Sequence, residues 1–207
     1  MGKDMSSVDN PSGFSIWGEL LRQNLYAVQT APVIHVYHGD MVVHGGTALA
    51  TKFGVRVIIE DSAVPDGTAN TQKILGVVTA CFDEDMNPVK YIAATEAGDA
   101  VVAGYVMVAD HPLQEFLIQE DGTTEAIDLA DIGQNCDIVS VALCAGTAAT
   151  GLSTQELASD LVAATAALDV RVLYPHPDDT VGDNTNCHCR WIVQINTHYN
   201  DAFHVGA

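Results

Sequence analysis

Alternation of apolar and polar residues with a period of two runs through most of this chain, and that pattern commits its side chains to the two faces of pleated strands. In residues 52–60, Phe53, Val55, Val57 and Ile59 fall on one face while Lys52, Arg56 and Glu60 fall on the other. Residues 169–174 place Val170, Val172 and Tyr174 together, and residues 190–196 do the same for Trp191, Val193 and Ile195. Stretches 33–43, 75–82, 101–108, 115–120 and 138–144 complete a set of about eight strands. Turn chemistry divides them: Gly45-Gly46, Asp66-Gly67, Asn87-Pro88 and Asp121-Gly122 stand where a positive or fixed φ is wanted. Short strands separated by such turns predict a mainly β fold, a sandwich or barrel with little helix.

Residues 1–32 read differently, as an N-terminal arm ahead of a single β-rich domain over 33–207. Residues 1–12 are polar and loop-like. Ser15 is then a candidate cap for a short helix in which Trp17, Leu20, Leu21, Leu25 and Val28 recur at helical spacing before Pro32. A second short helix is compatible with 155–165. A chain of 207 residues is long enough to bury a core without covalent staples.

The net charge of −19 comes from 27 acidic against eight basic residues, and 91–170 contains no Lys or Arg. Such a surface repels phosphate backbones, so nucleic-acid binding is not expected. The first ten residues lack the apolar core of a signal peptide, and no apolar run reaches membrane-spanning length. The expectation is a soluble product of a cytosol with no membrane partner. Five cysteines, an odd number, argue against a disulfide framework, and Cys81, Cys136 and Cys144 lie in apolar runs as small buried hydrophobes.

Cys187-His188-Cys189 offers metal donors, with His176, His198 or His204 to complete a set. Its one-residue spacing is tighter than closed zinc loops use, which points to a solvated loop. His35 and His38 fall on opposite faces of a flat strand and cannot share an ion. The acidic runs Asp83-Glu84-Asp85 and Glu120-Asp121 lack calcium-loop spacing and read as solvated turns. Neither a cofactor nor a metal is expected.

Two resemblances bear on the C-terminal quarter. Pro175-His176-Pro177-Asp178-Asp179 with Gly182 is similar to the zinc-dependent deacetylases of N-acetylglucosaminyl substrates. That resemblance implies His176 and Asp179 as metal ligands and Asp178 as a general base. In that family the motif follows the first strand and most of an α/β domain comes after it, whereas here about 25 residues follow Gly182. The longer pattern covers Thr150-Gly151-Leu152-Ser153, Thr165-Ala166-Ala167-Leu168, Val170-Arg171-Val172-Leu173, the Pro177-Asp178-Asp179 turn and the run from Arg190 to His198. Together with Leu75-Gly76-Val77-Val78 and the stretch from Tyr105 to Asp121, it resembles the decoration, or cement, proteins of tailed-bacteriophage heads.

By that resemblance the chain is a structural virion protein rather than an enzyme. It would bind the outer surface of a capsid, stabilise contacts between major capsid protein subunits, and form a homo-oligomer, a trimer by preference, after synthesis in the host cytoplasm. The family's use of extended arms makes Phe14, Ile16, Trp17, Leu20 and Leu21 the candidate capsid or subunit contacts. The alternatives are the zinc-dependent hydrolase and another virion component, such as a head-to-tail connector or a carbohydrate-binding domain.

Overall fold

The computed structural model describes residues 8–29, 35–51, 54–61, 74–93, 102–122, 126–139, 146–164, 168–181, 188–196 and 198–200. These form β1 (Ser15–Trp17), β2 (Gln23–Gln29), β3 (Val36–Tyr37), β4 (Met41–Thr51), β5 (Gly54–Asp61), β6 (Ile74–Phe82), β7 (Pro88–Val89) and β8 (Tyr91–Ile92). There follow β9 (Val102–Ala109), β10 (Glu115–Gln119), β11 (Asn135–Ile138), β12 (Gly146–Thr147), β13 (Leu152–Ser153), β14 (Leu157–Ala163), β15 (Val170–Pro175) and β16 (Arg190–Ile195). Among the described residues there is no helix. The mainly β, sandwich-like or barrel-like architecture follows from the alternation, although the chain is cut into more and shorter strands than eight.

Two six-stranded sheets carry the fold. The first, in the order β1-β10-β16-β15-β11-β14, is antiparallel throughout. The second runs β4-β5-β2-β9-β6-β7, and β4 also pairs with β6, so its hydrogen bonding passes around a barrel-like ring and returns to β4. Within that ring β2 is parallel to β5 and antiparallel to β9. Two short ribbons, β3-β8 and β12-β13, are added.

The pleat explains the packing. Trp191, Val193 and Ile195 of β16, Phe116 and Ile118 of β10, and Val170 and Val172 of β15 join Met41, Ile74, Val77 and Ala109 of the second sheet in one buried cluster. Neighbouring positions of the same second-sheet strands, Val42, Leu75, Val78, Val106 and Val108, form another cluster with Tyr26, Val28, Val36 and Ile92. Strands β4, β6 and β9 are therefore apolar on both faces, each face contributing to a separate cluster. A register shift between Val172 and Tyr174 ends the alternation in β15, leaving Tyr174 exposed.

Three expectations are corrected. The helix predicted from Ser15 is absent: the segment supplies β1 to one sheet and β2 to the other, and both long edges of β2 are occupied by partner strands. Residues 155–165, the second helix expectation, contain β14, drawn into the sheet by β11. The single run expected at 33–43 is broken by a turn at residues 38–40 into β3 and β4, while of the strand expected over 138–144 only residues 138–139 are described, the first of them closing β11. Residues 52–53, 140–145, 165–167, 182–187 and 201–207, with the expectations that fall on them, lie outside the described residues.

Candidate functional site

The deacetylase-like motif forms the connection out of β15. His176 N–H donates to the Arg190 carbonyl at 2.8 Å and Asp179 N–H to the His176 carbonyl at 3.0 Å, which makes a turn. The Asp179 carboxylate is fully buried and taken up by Arg190: the backbone N–H reaches Oδ2 at 2.7 Å, Nε reaches Oδ2 at 3.0 Å and Nη2 reaches Oδ1 at 2.6 Å. Hydrogen bonding to Asp179 raises the Arg190 pKa further. The same Nη2 lies 3.1 Å from His176 Nδ1, and the imidazole makes an edge contact with Trp17 at 5.2 Å between ring centroids. A dication at His176 and Asp179 would have to displace a guanidinium from a buried, charge-assisted pair. Asp178 points to solvent. The motif locks β15 to the start of β16.

A second constellation lies beside the N-terminal segment. Asp9, Glu156 and His188 bring one carboxylate oxygen each and a ring nitrogen within 4.8 Å of one another. Gln119, the last residue of β10, aligns them: its Nε2 donates to the carbonyls of Val8 (2.6 Å) and His188 (3.2 Å), and its Oε1 accepts the Asn10 N–H at 3.2 Å. The His188 ring lies over Gly122, whose φ of +61° and missing side chain both suit the position, since a Cβ there would overlap the ring. His188 Nδ1 and Glu156 Oε1 are buried with no hydrogen-bond partner. Burial, reinforced by the charges of Asp9 and Asp121, pushes the Glu156 carboxyl up to about 7.

Nearby Glu120 is fully buried, which corrects the reading of Glu120-Asp121 as a solvated turn. Burial pushes its carboxyl up to about 7, partly offset by N–H donors from Ile127 (2.8 Å) and Cys189 (3.2 Å). Cys189 is equally buried, not part of a solvated loop. It is disulfide-bonded, which removes its sulfur from any ligand set. His198 Nδ1 accepts the Asn200 N–H at 2.9 Å, and Cys187 and His204 lie outside the described residues. Of the two described donors of the run, Cys189 is withdrawn into the core while His188 turns to Asp9 and Glu156. Asp83-Glu84-Asp85 is the surface turn expected of it, with Asp83 accepting the N–H groups of Asp85 and Asn87.

A third feature is an apolar rim where the chain passes from β1 to β2. Leu20 and Leu21 are 40% and 49% exposed, and Leu113, on the turn between β9 and β10, is 63% exposed. Gln114 bolts these loops together: its Oε1 accepts the Leu21 N–H at 2.9 Å, and its Nε2 donates to the carbonyls of Trp17 (3.4 Å) and Glu19 (3.2 Å). Beneath lies buried Asp110, which binds Arg22 Nε at 2.7 Å, Asn24 Nδ2 at 2.8 Å and Tyr26 Oη at 2.6 Å. Burial alone would raise the Asp110 pKa, but these donors outweigh it and hold the carboxyl below its ordinary value.

Of the five contact residues expected from the sequence, Leu20 and Leu21 lie on this rim. Trp17 is half-buried against His176, Ile16 packs on the core, and Phe14 is fully buried, edge-on to Phe116. Phe14 is a core residue here because its N–H is held by the Gly39 carbonyl at 2.9 Å, which draws the ring between the sheets. Leu113 and Gln114 were not legible as site residues, since only the fold brings the 111–114 turn against residues 17–21. Known proteins offer no guide to the site: no protein-family model, curated protein or solved structure matches the chain.

Proposed function

We propose that this is a structural, capsid-binding protein of the decoration type, which docks on the outer surface of a phage head and bridges neighbouring major capsid protein subunits. The observation that carries the reading is the rim of Leu20, Leu21 and Leu113, three exposed leucines on two loops clamped by Gln114. Apolar side chains on an ordered base lose little conformational entropy on docking, which favours a binding surface. The net charge of −19 keeps the protein away from packaged nucleic acid and directs it toward protein partners. Each bridging copy buries area across a seam between subunits and so raises the work needed to part them. Association into trimers would multiply that effect by engaging several subunits at once.

The test is to mix the purified protein with capsids that lack it and to determine the occupied shell by electron cryomicroscopy. Ordered density across subunit seams, in hundreds of copies, is the expected result, and Leu20→Asp with Leu113→Asp should weaken binding by about tenfold or more. A bare shell overturns the reading, and a few copies confined to one vertex would reassign the protein to the head-to-tail junction.

A further inference from the structure

We propose that Asp9, Glu156 and His188 form a divalent-cation site for a transition-type ion such as Zn2+ or Mn2+, one that fastens the N-terminal segment to the first sheet. Three chain regions meet there: Asp9 precedes β1, Glu156 immediately precedes β14, and His188 lies two residues before β16. Two carboxylates and an imidazole are a mixed oxygen and nitrogen set, which suits Zn2+ or Mn2+ better than the all-oxygen preference of Ca2+ or Mg2+.

The geometry is close to closure. With Zn2+ at about 2.0–2.2 Å from each donor, tetrahedral ligands stand roughly 3.4 Å apart, so the 4.8 Å limit on the present separations leaves side-chain shifts on the order of an ångström. The backbone on both sides is already fixed through Gln119, which holds Val8, Asn10 and His188 together before any ion arrives.

Two features ask for a cation in that place. His188 Nδ1 and Glu156 Oε1 are withdrawn from water without a hydrogen-bond partner, an arrangement that is costly unless something else satisfies them. The carboxylates also lack a protein counter-ion: among the described side chains Arg22 binds Asp110, Lys90 the Ala149 carbonyl, Arg171 the Gly133 carbonyl and Arg190 Asp179. A dication with Asp9, Glu156 and neutral His188 is electrically balanced, and three protein ligands leave a position for water.

The test uses the whole chain, stripped with a chelator and titrated calorimetrically with Zn2+, Mn2+, Ca2+ and Mg2+. One equivalent of Zn2+ or Mn2+ should bind per chain and raise the melting temperature, while Ca2+ and Mg2+ should bind at least tenfold more weakly. Asp9→Asn and Glu156→Gln, which keep side-chain volume, should each lower the affinity by about tenfold or more. Absence of saturable binding, or full affinity retained in the Asp9→Asn/Glu156→Gln double variant, overturns the proposal. Co2+ supplies a readout that needs no variant: d–d bands alone fit a carboxylate and imidazole set, whereas a thiolate charge-transfer band would place the ion at a cysteine and refute the assignment.

Discussion

Asp110 shows how one side chain decides the stability of its neighbourhood. Its carboxylate is buried and collects donors from Arg22, Asn24 and Tyr26, and its carbonyl accepts from Arg22 Nη2, so a single residue ties β2 to the end of β9. The Arg22 side chain is 41% exposed, so solvent screens its share and the neutral donors carry much of the effect. Asp110→Asn keeps the shape but turns an amide N–H2 toward donors. A loss of about 2 kcal/mol is expected from the urea midpoint, and an unchanged midpoint would show that the cluster is decorative. In the sequence Asp110 was one more acid among 27. Its burial depends on partners more than 80 residues away, which no local pattern carries. His188 was visible as a possible donor beside two cysteines but read as part of a solvated loop, because Asp9 and Glu156 come near it only in the fold.

At the level of elements, β10, β15 and β16 were legible because alternate side chains of each line the core, and β6 and β9 because they are apolar runs of strand length, buried on both faces. β2 was not. Leu20, Leu21, Leu25 and Val28 have helical spacing, but the first two belong to an exposed loop and only the last two to a strand. The spacing was a coincidence across an element boundary. What settles the conformation is pairing on both edges, Ala27 with Ile58 of β5 on one side and Tyr105 of β9 on the other. Ala27→Pro removes a ladder donor and leaves its buried carbonyl partner unsatisfied, which should cost about 1–3 kcal/mol and lower the melting temperature in a thermal melt. An arm or a free-standing segment would tolerate the substitution, so a melt unchanged by Ala27→Pro would contradict the described pairing. The Asp178-Asp179 turn shows the converse case, in which a local motif was legible but its partner was not: Arg190 lies beyond the loop and gives Asp179 a structural task.

For the molecule as a whole, an excess of acid and two raised carboxyls, one on fully buried Glu120 and one on partly buried Glu156, act in the same direction. Glu120 and Glu156 are pushed from an ordinary value of 4.5 up to about 7, in both cases chiefly by burial. The folded state therefore holds protons that the unfolded chain has released. That contribution is fully present below about pH 4.5 and is lost as the pH rises through about 7. Asp110 has the opposite sign, since its depressed pKa means that stability is lost as the pH falls through its folded value. For the metal-free protein the urea midpoint is accordingly higher at about pH 5 than at about pH 7.5, and a midpoint that rises over that interval would rule out the burial of Glu120 and Glu156 as charged-form penalties.

The pairing ladder of the first sheet also has a consequence in time. Ser15 of β1 is opposite Leu117 of β10, and Leu117 is opposite Ile192 of β16, so the early, middle and late parts of the chain lie side by side. Until residues 190–195 have left the ribosome, β10 lacks one neighbour and β15 another, and their apolar faces wait uncovered. Closure over such long loops is slow, and a nascent chain held in that state is open to capture by other chains or by chaperones. Completion of this sheet is thus gated by the arrival of β16, whose edges both β10 and β15 need.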